Sequence, residues 1–372
     1  MPSPPATWLP DRRGTFPIEA IGLQSVGKSC TRAQGIMRAA LLSQGEFRIE
    51  ELPEPVPAEN QVVLKVDACG ICGTDHSLWR DPDLAPDTIL GHEFAGRIVE
   101  IGRGVREWEE GDSAAVLPIP YCGRCELCAD QRPNLCRNGL RAMMGCGATP
   151  GALAERICVP TAQLRRIPGD LDPAKFALVE PLAVAQAAVD LGRIEAGTRV
   201  GILGLGPLGL FSGLIAKERG ALVFGIDHRP DRVRTAHSLG LGAFVADGVA
   251  DERLRDLTLG GPEVVIEASG KEDAIDRAGT ITRIGGRVVM VASYHAHSKI
   301  EPGDWVDRGI SLLPSIAYTP QQFDEAMAMV ATQAIDVSRL VSGVHPLEEI
   351  NEVFASFRVQ TDQIKLLISP GS

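Results

Sequence analysis

The chain has 372 residues, 44% of them apolar and 23% charged, a composition that suits a globular protein of about two domains. Its 37 Lys and Arg stand against 48 Asp and Glu, and the resulting net charge of −11 argues against nucleic acid or an anionic membrane as the main partner. No apolar run approaches the ~20 residues needed to span a bilayer, and the Pro-broken start "MPSPPATWLPDRRG" lacks a signal-peptide core, so a cytoplasmic protein is expected.

Residues 1–36 read as a probable disordered extension, yet they contain "GLQSVGKS" (residues 22–29), a full match to the phosphate-cradling pattern G-x-x-x-x-G-K-[ST]. Such a loop works between a buried strand and a helix, whose amino terminus helps to hold the phosphates. Here a poor strand with Pro17 precedes it and a segment broken by Gly35 follows it, so the match reads as chance.

From Met37 the text turns to short strands separated by Pro-rich turns: "MRAALLSQGEFRIEELP", "QVVLKVDACG", "HEFAGRIVEIG" and "SAAVL". This half carries eight of the nine cysteines, and without signs of secretion metal ligation is the leading explanation for them. Cys122, Cys125, Cys128 and Cys136 follow a C-x2-C-x2-C-x7-C spacing that can close a tetrahedral shell around zinc, leaving no position for a substrate. An iron–sulfur cluster is the other reading of four such thiolates. Cys72, His92 and Glu93 offer one S, one N and one O ligand, a mixed set that could leave a coordination position open. Cys30, Cys69, Cys146 and Cys158 lack partner spacing and read as packing residues.

After the helical "VEPLAVAQAAVDLG" the rhythm changes to strand–helix alternation, which predicts a doubly wound parallel sheet. "GLGPLG" places Gly204, Gly206, Pro207, Leu208 and Gly209 between the apolar strand "RVGIL" and a helix. The next strand ends in Asp227, where a carboxylate would hold an adenosine ribose. This unit reads as a dinucleotide site. The tail from 322 to 372 is expected to return to the first domain as helices and an edge strand.

Taken in order, V-x-A-C-G-I-C-G-T-D, GHE-x2-G, the four-cysteine lobe, E-P-L-x-V-A and G-x-G-x-x-G resemble the zinc-dependent medium-chain dehydrogenase/reductases. Glu after His and the "EP" dipeptide resemble the polyol branch, which includes sorbitol, threonine and butanediol dehydrogenases. The resemblance implies an α/β protein: a mostly β, GroES-like catalytic domain over 37–182, completed by 322–372, and a Rossmann domain over 183–321. It implies two zinc ions per chain and NAD rather than NADP, with Arg232 on the ribose side. Cys72, His92 and Glu93 would ligate the catalytic zinc. Glu180 would be a fourth ligand or hold the zinc-bound water, unless it is simply a carboxylate at a helix amino terminus. Thr74 would pass the proton and Asp75 would orient His92. The family often continues the relay with a His where Ser77 stands, and His76 lies one residue earlier; the outer step passes through Ser77 or water.

The activity implied is reversible oxidation of a secondary alcohol, a polyol, diol, amino alcohol or cyclitol, to a ketone by a homodimer or homotetramer. Two alternatives stay open: a zinc-free quinone or enoyl reductase of the same superfamily, and a non-catalytic nucleotide-binding scaffold. His295 and His297 read as a loop near the nicotinamide, and Trp79 and Trp305 as either pocket walls or core.

Overall fold

The computed structural model describes residues 35–294, 297–357 and 362–371. The "GLQSVGKS" segment, Cys30 and His295 lie outside the described residues.

The chain enters through a hairpin, Ile36–Ser43 paired with Glu46–Pro53. Its two-residue turn has Gln44 at φ 52 and Gly45 at φ 78, the left-handed pair that matches the twist of two antiparallel strands. A seven-stranded sheet follows. Its main path runs Val341–Pro346, Lys365–Ser369, Gln61–Gly70, Glu93–Ile101, Ser113–Val116 and Leu164–Arg166, with Arg156–Pro160 also pairing with Gln61–Gly70. The tail therefore contributes two strands rather than one, and Lys365–Ser369 lies inside the sheet, antiparallel to Gln61–Gly70. The apolar text of "KLLIS" explains this: Leu366, Leu367 and Ile368 are all buried.

The second sheet has six parallel strands in the order Gly242–Val245, Leu222–Asp227, Arg199–Leu203, Val264–Glu267, Arg287–Met290 and Ser311–Pro314. In chain order this is 3-2-1-4-5-6, the doubly wound dinucleotide-binding arrangement. The helix Val179–Leu191 joins the two halves, and ten of its thirteen residues are buried. One apolar cluster runs from Ala68 and Ala115 of the first sheet through Leu182 and Val189 to Ile202 and Ile266 of the second. Because apolar side chains cover this helix on most of its circumference, it is buried between layers rather than lying on the surface.

Trp79 and Trp305 are core residues. Trp79 packs edge-on to Phe354 at 5.7 Å, and Trp305 sits among Ile275, Ala278 and Ile281. Among the described residues no helix is long and apolar enough to cross a membrane.

Candidate active site

The strand Gln61–Gly70 pairs Gly70 with Glu93 on one side and with Leu367 on the other. Two strand ends and the middle of a third thus converge just before Cys72. Any side chain at residue 70 would collide with the Glu93 carboxylate, so the glycine is required by this close approach. The ligand atoms of Cys72, His92 and Glu93 lie within 4.8 Å of one another.

Asp75 assembles this cluster. Cys72 caps the short helix Gly73–Trp79, and its backbone N–H donates to Asp75 Oδ2 at 2.9 Å. Asp75 Oδ1 accepts from the Gly91 N–H at 3.2 Å and lies 3.5 Å from His92 Nδ1. One fully buried carboxylate therefore joins two segments far apart in sequence and turns His92 Nε2 toward the cluster. Cys146 Sγ lies 3.7 Å from the same His92 nitrogen. Cys146 belongs to the site rather than serving as remote packing, whereas Cys69 is fully buried in the neighbouring core.

Glu93 is fully buried, and Lys365, itself 3% exposed, forms an ion pair with it through Oε2. Burial alone would favour a neutral lysine, but the charges of Glu93 and Cys72 outweigh it and raise the Lys365 pKa. Lys365 Nζ also donates to Ile71 O at 2.9 Å. Glu93 Oε1 has no hydrogen-bond partner among the described residues. An orphaned buried carboxylate oxygen beside a thiol and an imidazole suits a zinc ion, which would satisfy all three donors.

Glu180, in the first turn of Val179–Leu191, is 5% exposed. It falls outside the 4.8 Å ligand set, yet its charge interacts with His92 and Glu93. Burial raises its pKa to about 7, while His92 and the facing Tyr318 hydroxyl pull it down. Thr74 is half-buried on the same short helix. Ser77 Oγ donates to Gly73 O at 3.0 Å, and His76 stacks with Trp79 and Phe357 at 5.6 and 5.5 Å.

The four-cysteine lobe is a separate cluster, again with all sulfurs within 4.8 Å. Sulfur separations of 3.5 Å (Cys122–Cys136), 3.9 Å (Cys125–Cys136) and 4.0 Å (Cys122–Cys128) suit a tetrahedral S4 shell. Backbone N–H groups from Arg124 and Cys125 lower the Cys122 pKa to about 6, favouring the thiolate a metal requires.

In the Rossmann half, Gly204 takes φ +91, and a Cβ there would meet Ser269 N at 2.8 Å. A Cβ on Gly209 would drive into Gly204 O, whereas a Cβ on Gly206, the cap of the helix Pro207–Glu218, would meet only Arg232 Nη1, at an ordinary contact distance of 3.7 Å. These are the three glycine tasks of a dinucleotide loop: a tight turn, close approach of a pyrophosphate, and strand–helix packing. Leu208 and Gly209 form the first turn of that helix, where backbone N–H groups would face a bound phosphate. Asp227 is buried; its Oδ2 accepts from Leu205 N at 2.7 Å and its Oδ1 from Arg229 N at 2.9 Å. Arg232 Nη1 lies 3.6 Å from Asp227 Oδ2, and its Nε has no hydrogen-bond partner among the described residues. Arg229 is engaged by Asp231 at 2.5 Å. Asp227, His228, Arg232 and Lys271 line one pocket with Gly204 and Ser269. His297 is exposed.

The sequence did not single out Lys365, Tyr121 or Tyr318, and it read Cys146 as a packing residue. For Lys365 a signal existed: a lone lysine in the apolar strand "IKLLIS" demands a buried partner.

Comparison with known proteins agrees with this geometry. Residues 58–169 match the family model "Alcohol dehydrogenase GroES-like domain" and residues 207–332 match "Zinc-binding dehydrogenase". The chain is 31% identical to the 2-dehydro-3-deoxy-L-galactonate 5-dehydrogenase of Pseudoalteromonas atlantica, over 89% of this chain and 97% of the relative. It is 29% identical to a sorbitol dehydrogenase of Halalkalibacterium halodurans, over 90% and 99%. Among solved structures, a protein of Sinorhizobium meliloti described as a zinc-binding dehydrogenase and bound to NADP superposes with a TM-score of 0.84 at 34% identity, covering 91% of this chain and all of that one. The chain belongs to the zinc-dependent medium-chain dehydrogenase/reductases, within their polyol dehydrogenase branch.

Proposed function

We propose that this protein oxidises the secondary alcohol of a polyol, diol or sugar acid to a ketone, reversibly, with NAD as the hydride acceptor. The observation that carries this reading is the convergence of Cys72, His92 and an orphaned Glu93 oxygen on one point. Zinc held by Cys72, His92 and Glu93 would supply a Lewis acid that lowers the pKa of the substrate hydroxyl. NAD in the loop at Gly204, Gly206 and Gly209 would supply the hydride acceptor.

The remaining work belongs to side chains. Asp75 fixes His92 in one tautomer and holds the Cys72 loop against it. Lys365 balances the buried negative charge of Glu93 and Cys72. Thr74 Oγ1 takes the substrate proton. The outward leg then runs to water, because the Ser77 hydroxyl proton is committed to Gly73 O. Glu180, outside the close ligand set, would hold a water or a substrate hydroxyl beside the proposed metal site. The four cysteines of the lobe would hold a second, structural zinc.

For the cofactor, a buried carboxylate at Asp227 accepts from the ribose diol and repels a 2′-phosphate. Arg229 is spent on Asp231 and Arg232 leans on Asp227, which favours NAD even though the S. meliloti relative was solved with NADP. We place the enzyme in the cytoplasm as a homodimer or homotetramer. The uncovered edge strand Ser311–Pro314, with Leu312 38% exposed, supports a second copy.

The test is a panel of polyols, diols, aldonates, amino alcohols and cyclitols assayed with NAD and with NADP. Formation of NADH with secondary alcohols supports the reading. Activity confined to conjugated enones with a reduced cofactor would replace it with a reductase.

A further inference from the structure

Among the buried polar atoms that the proposed mechanism leaves without a task, the hydroxyl of Tyr318 lies nearest its chemistry, beside Glu180. Tyr318 is fully buried, and no group meets its Oη in hydrogen-bond geometry among the described residues. The group it faces is the Glu180 carboxylate. An unsatisfied hydroxyl in that position is costly unless something holds it there.

The backbone shows what does. Ala317 takes φ 48, a left-handed conformation unfavourable for any residue with a Cβ, which persists only where the surroundings over-determine it. The carbonyls on either side of it are both tied to the four-cysteine lobe. Asn134 Nδ2 donates to Ile316 O at 3.2 Å, and the Tyr121 hydroxyl donates to Tyr318 O. Tyr121 adjoins Cys122, and Asn134 lies two residues before Cys136. On the far side Thr319 caps the helix Pro320–Ala331 in a reciprocal box with Gln322, so the segment is fixed at both ends.

We infer that the four-cysteine lobe positions the catalytic centre: through Tyr121 and Asn134 it holds residues 316–318 so that Tyr318 aims its hydroxyl at Glu180. Tyr121 and Tyr318 are positioning residues, and the inference rests on the role proposed for Glu180. A lobe that loosens releases Ala317, lets Tyr318 swing and takes from Glu180 the hydroxyl that faces it, so the occupancy of the lobe is felt at the substrate site.

Tyr121→Phe, Tyr318→Phe, their double variant and Glu180→Gln would be compared with the unmodified zinc-loaded enzyme. The readouts are zinc per chain, kcat and KM, and the visible spectrum after Co2+ exchange into the Cys72–His92–Glu93 site. The expected kcat losses are about tenfold for Tyr318→Phe and about threefold for Tyr121→Phe, with the KM for cofactor and the lobe metal unchanged. The double variant should be no worse than Tyr318→Phe, because both act along one line of contact. The cobalt bands should move in both single variants, which a purely structural role would not cause. If Tyr318→Phe does not fold, Tyr121→Phe decides alone, since it keeps every buried ring. Unchanged kcat and cobalt bands in the tyrosine variants, with turnover lost in Glu180→Gln, would overturn the tie and leave Glu180 in its role. Additive losses in the double variant would also overturn it. Full turnover in Glu180→Gln would remove the role of Glu180 and the inference with it.

Discussion

Two clusters of similar residues lead here to opposite expectations, because their surroundings differ. The lobe sulfurs come from one short continuous segment, where a closed metal shell would take the place of a hydrophobic core. Cys125→Ser should therefore lower Tm and the metal content of the lobe first, altering the chemical step much less. Cys72→Ser should abolish turnover in a protein that still folds and binds NAD, because Asp75 still ties Gly91 to the helix Gly73–Trp79. Calorimetry, metal analysis and steady-state rates on both variants separate the two. A stable Cys125→Ser with two full zinc equivalents would contradict the structural assignment. In the proposed reading a single carboxylate, that of Asp227, sets cofactor choice. NAD should be preferred by at least about tenfold in kcat/KM, equivalent to roughly 1.4 kcal/mol. Asp227→Ser should erode or invert that preference with little change in kcat at saturating cofactor. Equal use of both cofactors by the unmodified enzyme would assign the pocket to its basic residues, Arg232, His228 and Lys271.

The strands, helices and turns repeat much of what the sequence spelled out, and the exceptions have physical causes. "GLGPLG" after "RVGIL" specified a strand, a glycine turn and a helix, because each residue's local preference agreed with the global fold. Gly209→Ala shows how tight that agreement is. With Gly204 O in the path of the new Cβ, the variant should lose cofactor affinity and about 1–3 kcal/mol of stability, read from NADH fluorescence titration and urea unfolding. Wild-type affinity in that variant would mean that the loop does not carry the pyrophosphate. The four lobe cysteines were legible because their spacing brings them together locally. Cys72, His92 and Glu93 stood as ligands only through the family resemblance, and the structure brings their ligand atoms together through Asp75 and the pairing of two strands. Lys365 was not legible, since it meets Ile71 across 294 residues and only the antiparallel pairing of two strands creates the contact. Tyr318 was hidden in the same way, as was Cys146, whose approach to His92 spans 54 residues. Trp79 and Trp305 show the opposite limit: aromatic residues read alike in a core and in a pocket wall, and the structure assigns both to cores.

Across the assembled protein, the buried helix Val179–Leu191 carries Glu180 at one end and packs the two sheets together along its length. The edge strand Ser311–Pro314 leaves one row of backbone groups unpaired, with Leu312 and Ile316 exposed beside it. If a second copy covers this edge, Leu312→Lys should shift the protein toward monomer in light scattering. An unmodified protein that is monomeric at micromolar concentration would contradict the proposed oligomer. The central claim is that a zinc ion at Cys72, His92 and Glu93 drives oxidation of a secondary alcohol. The most direct measurement is NADH formation from an active alcohol before and after selective removal of the catalytic metal by a chelator, with zinc content followed in parallel. Activity should fall with loss of the first zinc equivalent and return on adding zinc, while the protein stays folded throughout. Turnover that persists after that site has been emptied would contradict the account.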